Sequence, residues 1–231
     1  MGEVIAVLAL IKSGIIIRLT FLPVSVSVFI AFIWLVVMTN AFNLIDIMDG
    51  LSAGVAFIVC FFLFIIAQWN HNHSVAVFTL ALAGSLLGFL RYNFSPAKIY
   101  LGDAGSLMLG LLLGALAMIG SYTETSVLGF FTPLLLLGVP IFEMLFISYI
   151  RHRRGMSILR GSNDHFALRL RKWALSKQQT VLLTYGVSIK LGICGLLLVK
   201  VPFGWAIFIL LFAGTFFTLA GYLLKKIDMS L

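Results

Sequence analysis

Apolar stretches dominate this chain and leave it little choice of environment. They lie near residues 4–17, 23–40, 51–68, 75–90, 104–121, 127–150, 179–199 and 203–224, with short polar segments between them. A helix needs roughly 20 mostly apolar residues to cross a bilayer, fewer where it is bent or re-entrant. Of the 231 residues, 61% are hydrophobic and only 10% are charged. A soluble domain averages about half apolar and about a quarter charged, so no material remains for a separate soluble domain. The expected fold is an all-α polytopic membrane protein of about eight transmembrane helices, forming a single domain over residues 1–231. Met1 leads straight into apolar residues without a basic n-region, so no short cleavable signal sequence is expected. Cys60 and Cys194 lie within apolar runs and read as small hydrophobes, not as a disulfide or a metal site.

The net charge of +8 matters for where it falls. Alternating the spans from side to side places Arg91 and Lys98 in one loop and Arg151, Arg153, Arg154, Arg160, Arg169, Arg171, Lys172 and Lys177 in another. Lys225 and Lys226 follow on the same side. Twelve of the sixteen basic residues therefore share one face, with Arg18 and Lys200 opposite and Lys12 and Lys190 within spans. The positive-inside rule makes the crowded face cytoplasmic, and both termini with it. The segment from Ile15 to Val26, β-branched and carrying Pro23, reads as an external hairpin. A basic face of this kind also suits anionic lipid headgroups.

The stretch Thr39–Gly54, TNAFNLIDIMDGLSAG, brings acid to that face. Asn40, Asn43, Asp46 and Asp49 recur every third position, which on a helix makes one drifting polar stripe. Carboxylates at a membrane border are costly unless something positive sits beside them. Gly50 and Gly54 allow the backbone to turn and pack closely. A second acidic position follows in RYNFSPAKIYLGDAGS (Arg91–Ser106). Asp103 there is either the N-cap of the next helix or part of a glycine-flanked approach for phosphate or metal.

Glu143 lies in the sixth span, about two turns before the Arg151 end. It is either a functional acid or the structural partner of a bundle cation, with Lys190 one candidate. The long loop Arg151–Lys177 carries Asp164 and His165 just before a short amphipathic helix at Phe166. Basic groups facing an acidic stripe suit an anionic ligand bound through a divalent cation, the carboxylates holding the cation and the cations and histidine holding phosphate. A lipid-surface loop is the alternative. His71 and His73 are given no role. The chain has neither a Walker loop nor a dinucleotide fingerprint, and nucleic acid is not expected as a partner.

Three segments together resemble the polyprenyl-phosphate N-acetylhexosamine-1-phosphate transferase superfamily, glycosyltransferase family 4. They are NAFNLIDIMDGLSAG (Asn40–Gly54), FLRYNFSPAKIYLGDAGSLMLG (Phe89–Gly110) and GSNDHFALRL (Gly161–Leu170). The resemblance implies transfer of a sugar-1-phosphate, such as N-acetylglucosamine-1-phosphate, from a UDP-sugar to polyprenyl phosphate at the cytoplasmic face of the plasma membrane. UMP is released, and cell-wall or glycan synthesis begins. It also implies Mg2+, with Mn2+ possible, at Asp103. Asn43 and Asp46 match the family's essential Asn-x-x-Asp, and His165 matches the first histidine of its cytoplasmic histidine motif. Asp49, Asn93 and Tyr100 fall where the nucleobase is bound.

Ala167 and Leu168 stand where many members carry further histidines. The family's upstream Asp-Asp pair has no counterpart, since no acidic residue lies between Glu3 and Asp46. The chain is therefore read as a fragment lacking about three first spans, or as a shortened member that needs a partner chain. A transporter, a lipid-binding protein and a non-catalytic remnant are the competing functions. Transporters place their charges on broken helices at mid-membrane, whereas these acids lie at a border.

Overall fold

The computed structural model describes residues 2–16, 23–120, 122–123, 127–157, 163–227 and 229. Arg18, Arg160, Gly161 and Ser162 lie outside the described residues, as does 17–22, most of the segment read as an external hairpin. The described residues form α1 (Gly2–Lys12), α2 (Val24–Ile45), α3 (Leu51–Trp69), α4 (His73–Asn93) and α5 (Gly102–Ile119). A 3-10 turn (Val127–Phe131) leads into α6 (Thr132–Leu136), α7 (Gly138–Arg153), α8 (Phe166–Lys172), α9 (Lys177–Lys200) and α10 (Phe203–Lys225).

Six helices, α2–α5, α9 and α10, are long and apolar enough to cross a membrane. The pair Val127–Leu136 and Gly138–Arg153 makes a seventh crossing if it is counted as one span, bent by 74°. The molecule is a multi-pass helical membrane protein, and two of the eight expected spans differ from expectation. At 11 residues, α1 rises only about 16 Å, roughly half of a hydrocarbon core of about 30 Å. The expected straight span 127–150 is broken at Leu137. Pro140 explains the break, because a proline ring meets the carbonyl four residues earlier, here Leu136 at the end of α6.

Burial is uneven in the way a bilayer requires. Of the most apolar stretch of α3, 72% is buried, against 11% for α10. Large apolar side chains such as Val77, Phe78, Phe208 and Leu211 point outward. Water would not tolerate so large an exposed apolar area, whereas lipid tails satisfy it. Lipid tails are as apolar as leucine, so helices in a membrane associate through close packing and small residues.

α2 and α5 pack closely through Gly110 and Gly114, one turn apart on α5. A methyl group on Gly110 would run into the backbone carbonyl of Met38, and one on Gly114 would lie 3.0 Å from the Met38 Cβ. The Trp34 indole N–H also donates to the Gly114 carbonyl oxygen at 3.0 Å. This contact brings the C-terminal end of α2 beside the start of α5.

The other termini assemble at the same end of the bundle. The Gly50 N–H at the start of α3 donates to the Asn93 side chain at the end of α4. Gln178 at the start of α9 donates to the Ser95 carbonyl oxygen. Lys225 at the end of α10 reaches Tyr149 near the end of α7. Glu3, in the first turn of α1, accepts from Asn40 at 2.6 Å, so the N-terminal helix begins at this end too. At the opposite end, the Lys200 ammonium lies 5.1 Å from the Trp69 ring centroid. Among the described residues, Lys200 therefore lies at the end of the bundle opposite Lys225.

Candidate active site

The polar stripe is not a single helix face. Asn40 and Asn43 belong to α2, but Asp46 is the residue that ends it, at φ −81° and ψ 53°. The chain then turns through Asp49 to Gly50, whose φ of +78° lies in the left-handed region that glycine enters at little cost. A polar side chain at every third position fitted one helix. The turn prevails because both sides of the Gly50 residue are held from outside. Its N–H donates to Asn93 Oδ1 at 3.0 Å, and its carbonyl accepts from the Tyr185 hydroxyl of α9. Gly54, one turn into α3, leaves the space the Tyr185 ring fills.

The turn aims Asp46 at the start of α5. Asn43 Nδ2 donates to Asp103 Oδ1 at 3.1 Å and to the Ser106 hydroxyl at 3.0 Å. The Ser106 hydroxyl in turn donates to the Gly102 carbonyl oxygen at 3.0 Å. With its N–H groups so directed, the Asn43 amide keeps its carbonyl oxygen for another partner. Asp103 is not an N-cap: Leu101 holds that position, and Asp103 is the second residue of α5. Its carboxylate is exposed, on the positive end of the helix dipole.

Asp46 is half-buried, and that burial, reinforced by the nearby Asp103 carboxylate, pushes its carboxyl up to about 6. Two carboxylates brought this close repel, an arrangement that a cation relieves. Among the described residues no group of three or more metal-ligating side chains occurs. The donors here are hard oxygens, two of them carboxylates. That set suits Mg2+ or Mn2+ ions, which take one or two carboxylates and complete their shell with water and phosphate oxygens.

The raised carboxyl has a measurable consequence. Below about pH 4 both folded and unfolded chains carry Asp46 protonated; between about 4 and 6 the folded chain holds a proton the unfolded chain has lost. Metal-free stability therefore declines as pH rises through this window. Thermal unfolding in chelator is expected to show that decline, and Asp46→Asn is expected to flatten it. A decline of equal size in the variant would assign it to other groups.

The 94–101 segment is folded against this turn. The Ala97 N–H donates to Asp49 Oδ2 at 3.3 Å, and Asn93 Nδ2 donates to the Ile99 carbonyl oxygen at 2.8 Å. Asn93 is thus buried and spans two segments, while Tyr100 is 76% exposed at the rim.

His165 stands in a second cluster. Its Nδ1 lies 2.7 Å from Glu143 Oε1, and the Phe166 N–H donates to Glu143 Oε2 at 3.1 Å. Glu143 is therefore the partner of His165 and not of Lys190. Asp164 beside it is bound by Arg154, through one amino group to both carboxylate oxygens at 2.9 and 2.8 Å, and by Arg169 at 2.7 Å. Arg169 is buried and donates onward to the carbonyl oxygens of Leu224 and Ile227 at the end of α10. Since α7 packs along α2, the helix carrying Glu143 is a direct neighbour of the helix carrying Asn43.

The structure thus joins Asn43, Asp46 and Asp103, ties Asp49 of the adjoining turn to the 94–101 segment that follows Asn93 and carries Tyr100, and places His165 in a cluster with Glu143 of α7 just before α8. Sequence reasoning did not single out Ser106, Tyr185 or the arginine partners of Asp164. Ser106 was legible, being one turn beyond Asp103 on the same face. Tyr185 gave no local signal.

A family model described as glycosyl transferase family 4 matches residues 3–121. Over 178 residues the chain is 34% identical to the probable undecaprenyl-phosphate N-acetylglucosaminyl 1-phosphate transferase of Bacillus subtilis (strain 168), covering 77% of this chain and 50% of that protein. It is 36% identical over 177 residues to the phospho-N-acetylmuramoyl-pentapeptide-transferase of Moorella thermoacetica, covering 74% and 52% respectively. A shorter stretch of 79 residues is 52% identical to the protein of that name from Caldicellulosiruptor bescii, covering 34% and 25%. The chain spans about half the length of the first two of these relatives.

Proposed function

The chain belongs to glycosyl transferase family 4, and from that premise we propose that it acts in moving a sugar-1-phosphate from a UDP-sugar to a polyprenyl phosphate. N-acetylglucosamine-1-phosphate is the proposed group, and the cytoplasmic face of the plasma membrane the proposed place. The observation that supports this most is the convergence of Asn43, Asp46 and Asp103 at the end of the bundle that also carries its basic residues.

In the proposed reaction a lipid phosphate oxygen attacks the sugar-bearing phosphorus. The P–O bond to the uridine monophosphate breaks, and UMP leaves with that oxygen. Two phosphate groups meeting at a membrane border repel, so positioning and charge neutralisation do most of the work. Asp103 would hold a divalent cation with the Asp46 carboxylate beside it; when bound, that ion supplies positive charge to the phosphate oxygens. Asn43 fixes the direction of Asp103. Asp46 stands where it can take up any proton the acceptor phosphate still carries. The basic residues at this end attract both anionic substrates to the interface. Asp49 holds the 94–101 segment in place, where Tyr100 offers an open aromatic face for the nucleobase.

The test uses purified chain in detergent with radiolabelled UDP-N-acetylglucosamine, undecaprenyl phosphate and Mg2+. The chain is assayed alone and together with the N-terminal spans of the Bacillus subtilis relative. Nucleotide binding by the chain alone is expected, with lipid-linked label and UMP formed once those spans are supplied. Folded protein that binds no uridine nucleotide and yields no product in either form would overturn the proposal.

A further inference from the structure

Glu143 is fully enclosed, and both of its oxygens are occupied. One accepts the Phe166 N–H at 3.1 Å and the other faces His165 Nδ1 at 2.7 Å. A carboxylate with no access to water is tolerated only when paired and hydrogen-bonded. Here the pairing is with one ring nitrogen of a histidine that is itself only partly buried. Positive groups lie near it on two elements: Arg151 on its own helix α7, and Arg169 on α8 together with His165. With Oε2 already accepting the Phe166 N–H, Glu143 acts as the acceptor of this pocket. The proton in the 2.7 Å contact then belongs to His165 Nδ1.

The surroundings allow the ring little freedom to choose otherwise. On one side of His165, Asp164 is clamped by Arg154 and Arg169, and on the other the Phe166 N–H is held by Glu143 itself. The segment is fixed on both sides of the histidine, and the carboxylate decides the remaining question, the tautomer.

We infer that Glu143 is a positioning residue for the transfer reaction: it holds the proton on His165 Nδ1 and orients the ring, leaving Nε2 as the nitrogen that meets substrate phosphate. The inference rests on the function proposed above and adds to it a residue that never touches substrate. The bond His165 makes to a carboxylate fixes which nitrogen is free, as partners of ligating histidines do elsewhere. Glutamine at position 143 has one acceptor oxygen where glutamate has two, so it can serve Phe166 or His165 in the same way, not both.

The experiment combines kinetics with histidine 15N NMR on the protein in detergent, supplied with the N-terminal spans as above. Wild type is expected to show Nδ1 protonated and Glu143→Gln to lose that preference. Partner substitutions of this kind cost about 10- to 100-fold; that loss is expected in kcat, with the KM for the UDP-sugar changed by no more than about twofold. In a His165→Ala background, Glu143→Gln is expected to have no further effect, because it acts through the ring. A further loss in that background, near-normal kcat in folded Glu143→Gln, or an unprotonated Nδ1 in wild type would each overturn the inference. If Glu143→Gln does not fold, Glu143→Asp carries the same comparison, expected to keep the charge and part of the tautomer preference. Wild type without any transfer would overturn the proposed function, and the 15N comparison alone would then decide the positioning.

Discussion

Asp103→Asn is expected to lower sugar-phosphate transfer by about a hundred- to a thousandfold, the range seen when one preorganised electrostatic group is removed from a transition state. The substitution is close to isosteric, and an asparagine oxygen at this position can still accept from Asn43 Nδ2, one of the bonds that join α2 to α5. Folding is therefore expected to survive while the negative charge is lost. Asp103 lies exposed in the first turn of α5, where a carboxylate interacting with the helix dipole alone contributes only about 0.3–1 kcal/mol to stability. The measurement is lipid-linked product in the supplemented assay, together with the Mg2+ concentration that gives half-maximal rate. A variant with near-normal rate and unchanged Mg2+ demand would reduce Asp103 to that dipole role.

Gly110→Ala is expected to have a large effect although it lies outside the site. Its new methyl group would meet the main chain of α2 at Met38 and Thr39, and a main-chain carbonyl cannot rotate away as a side chain can. Overpacking of this kind costs about 1–3 kcal/mol. The loss of function is expected to exceed the loss of stability. Spreading α2 from α5 separates Asn43 from Asp103, and misplacement by about an ångström can cost on the order of a hundredfold. Thermal unfolding and transfer rate should be measured beside two controls. Gly114→Ala meets the Met38 side chain at 3.0 Å and should do less harm, and Gly88→Ala, with nothing within 4 Å, should be silent. Equal effects at all three positions would show that helix separation is not the cause.

The contrast between these residues shows what sequence could and could not supply. Hydropathy sufficed for α2–α5, α9 and α10, because a helix in lipid is dictated by length and apolarity. It overestimated the first span, where apolar residues continue past Lys12 although the helix stops there. Pro140 was visible, but its effect depended on the carbonyl of Leu136, a relation that hydropathy does not carry. The spacing of Asn40, Asn43, Asp46 and Asp49 brought attention to the right stretch and misjudged its shape. A helix and a turn can both present such residues, and the choice was made by Asn93 and Tyr185, distant in sequence. Glu143 was recognisable as a buried acid in need of a partner. Nothing local distinguished Lys190, an arginine or His165 as that partner, since the choice depends on how the loop before α8 folds back over α7.

The hold of Tyr185 on the Gly50 turn has a consequence for how this protein could be recombined with its relatives. The family match ends at residue 121, which invites a division of the chain into a matched half and an interchangeable remainder. Yet the turn between Asp46 and α3 is completed by a hydroxyl from α9, and the absence of a side chain at Gly54 is what admits that tyrosine. Positions 50, 54 and 185 are therefore one unit divided between two halves. A chimera joined anywhere between α3 and α9 inherits a working turn only if both parents solve this contact in the same way, so the end of the family match is not a boundary at which the molecule can be cut.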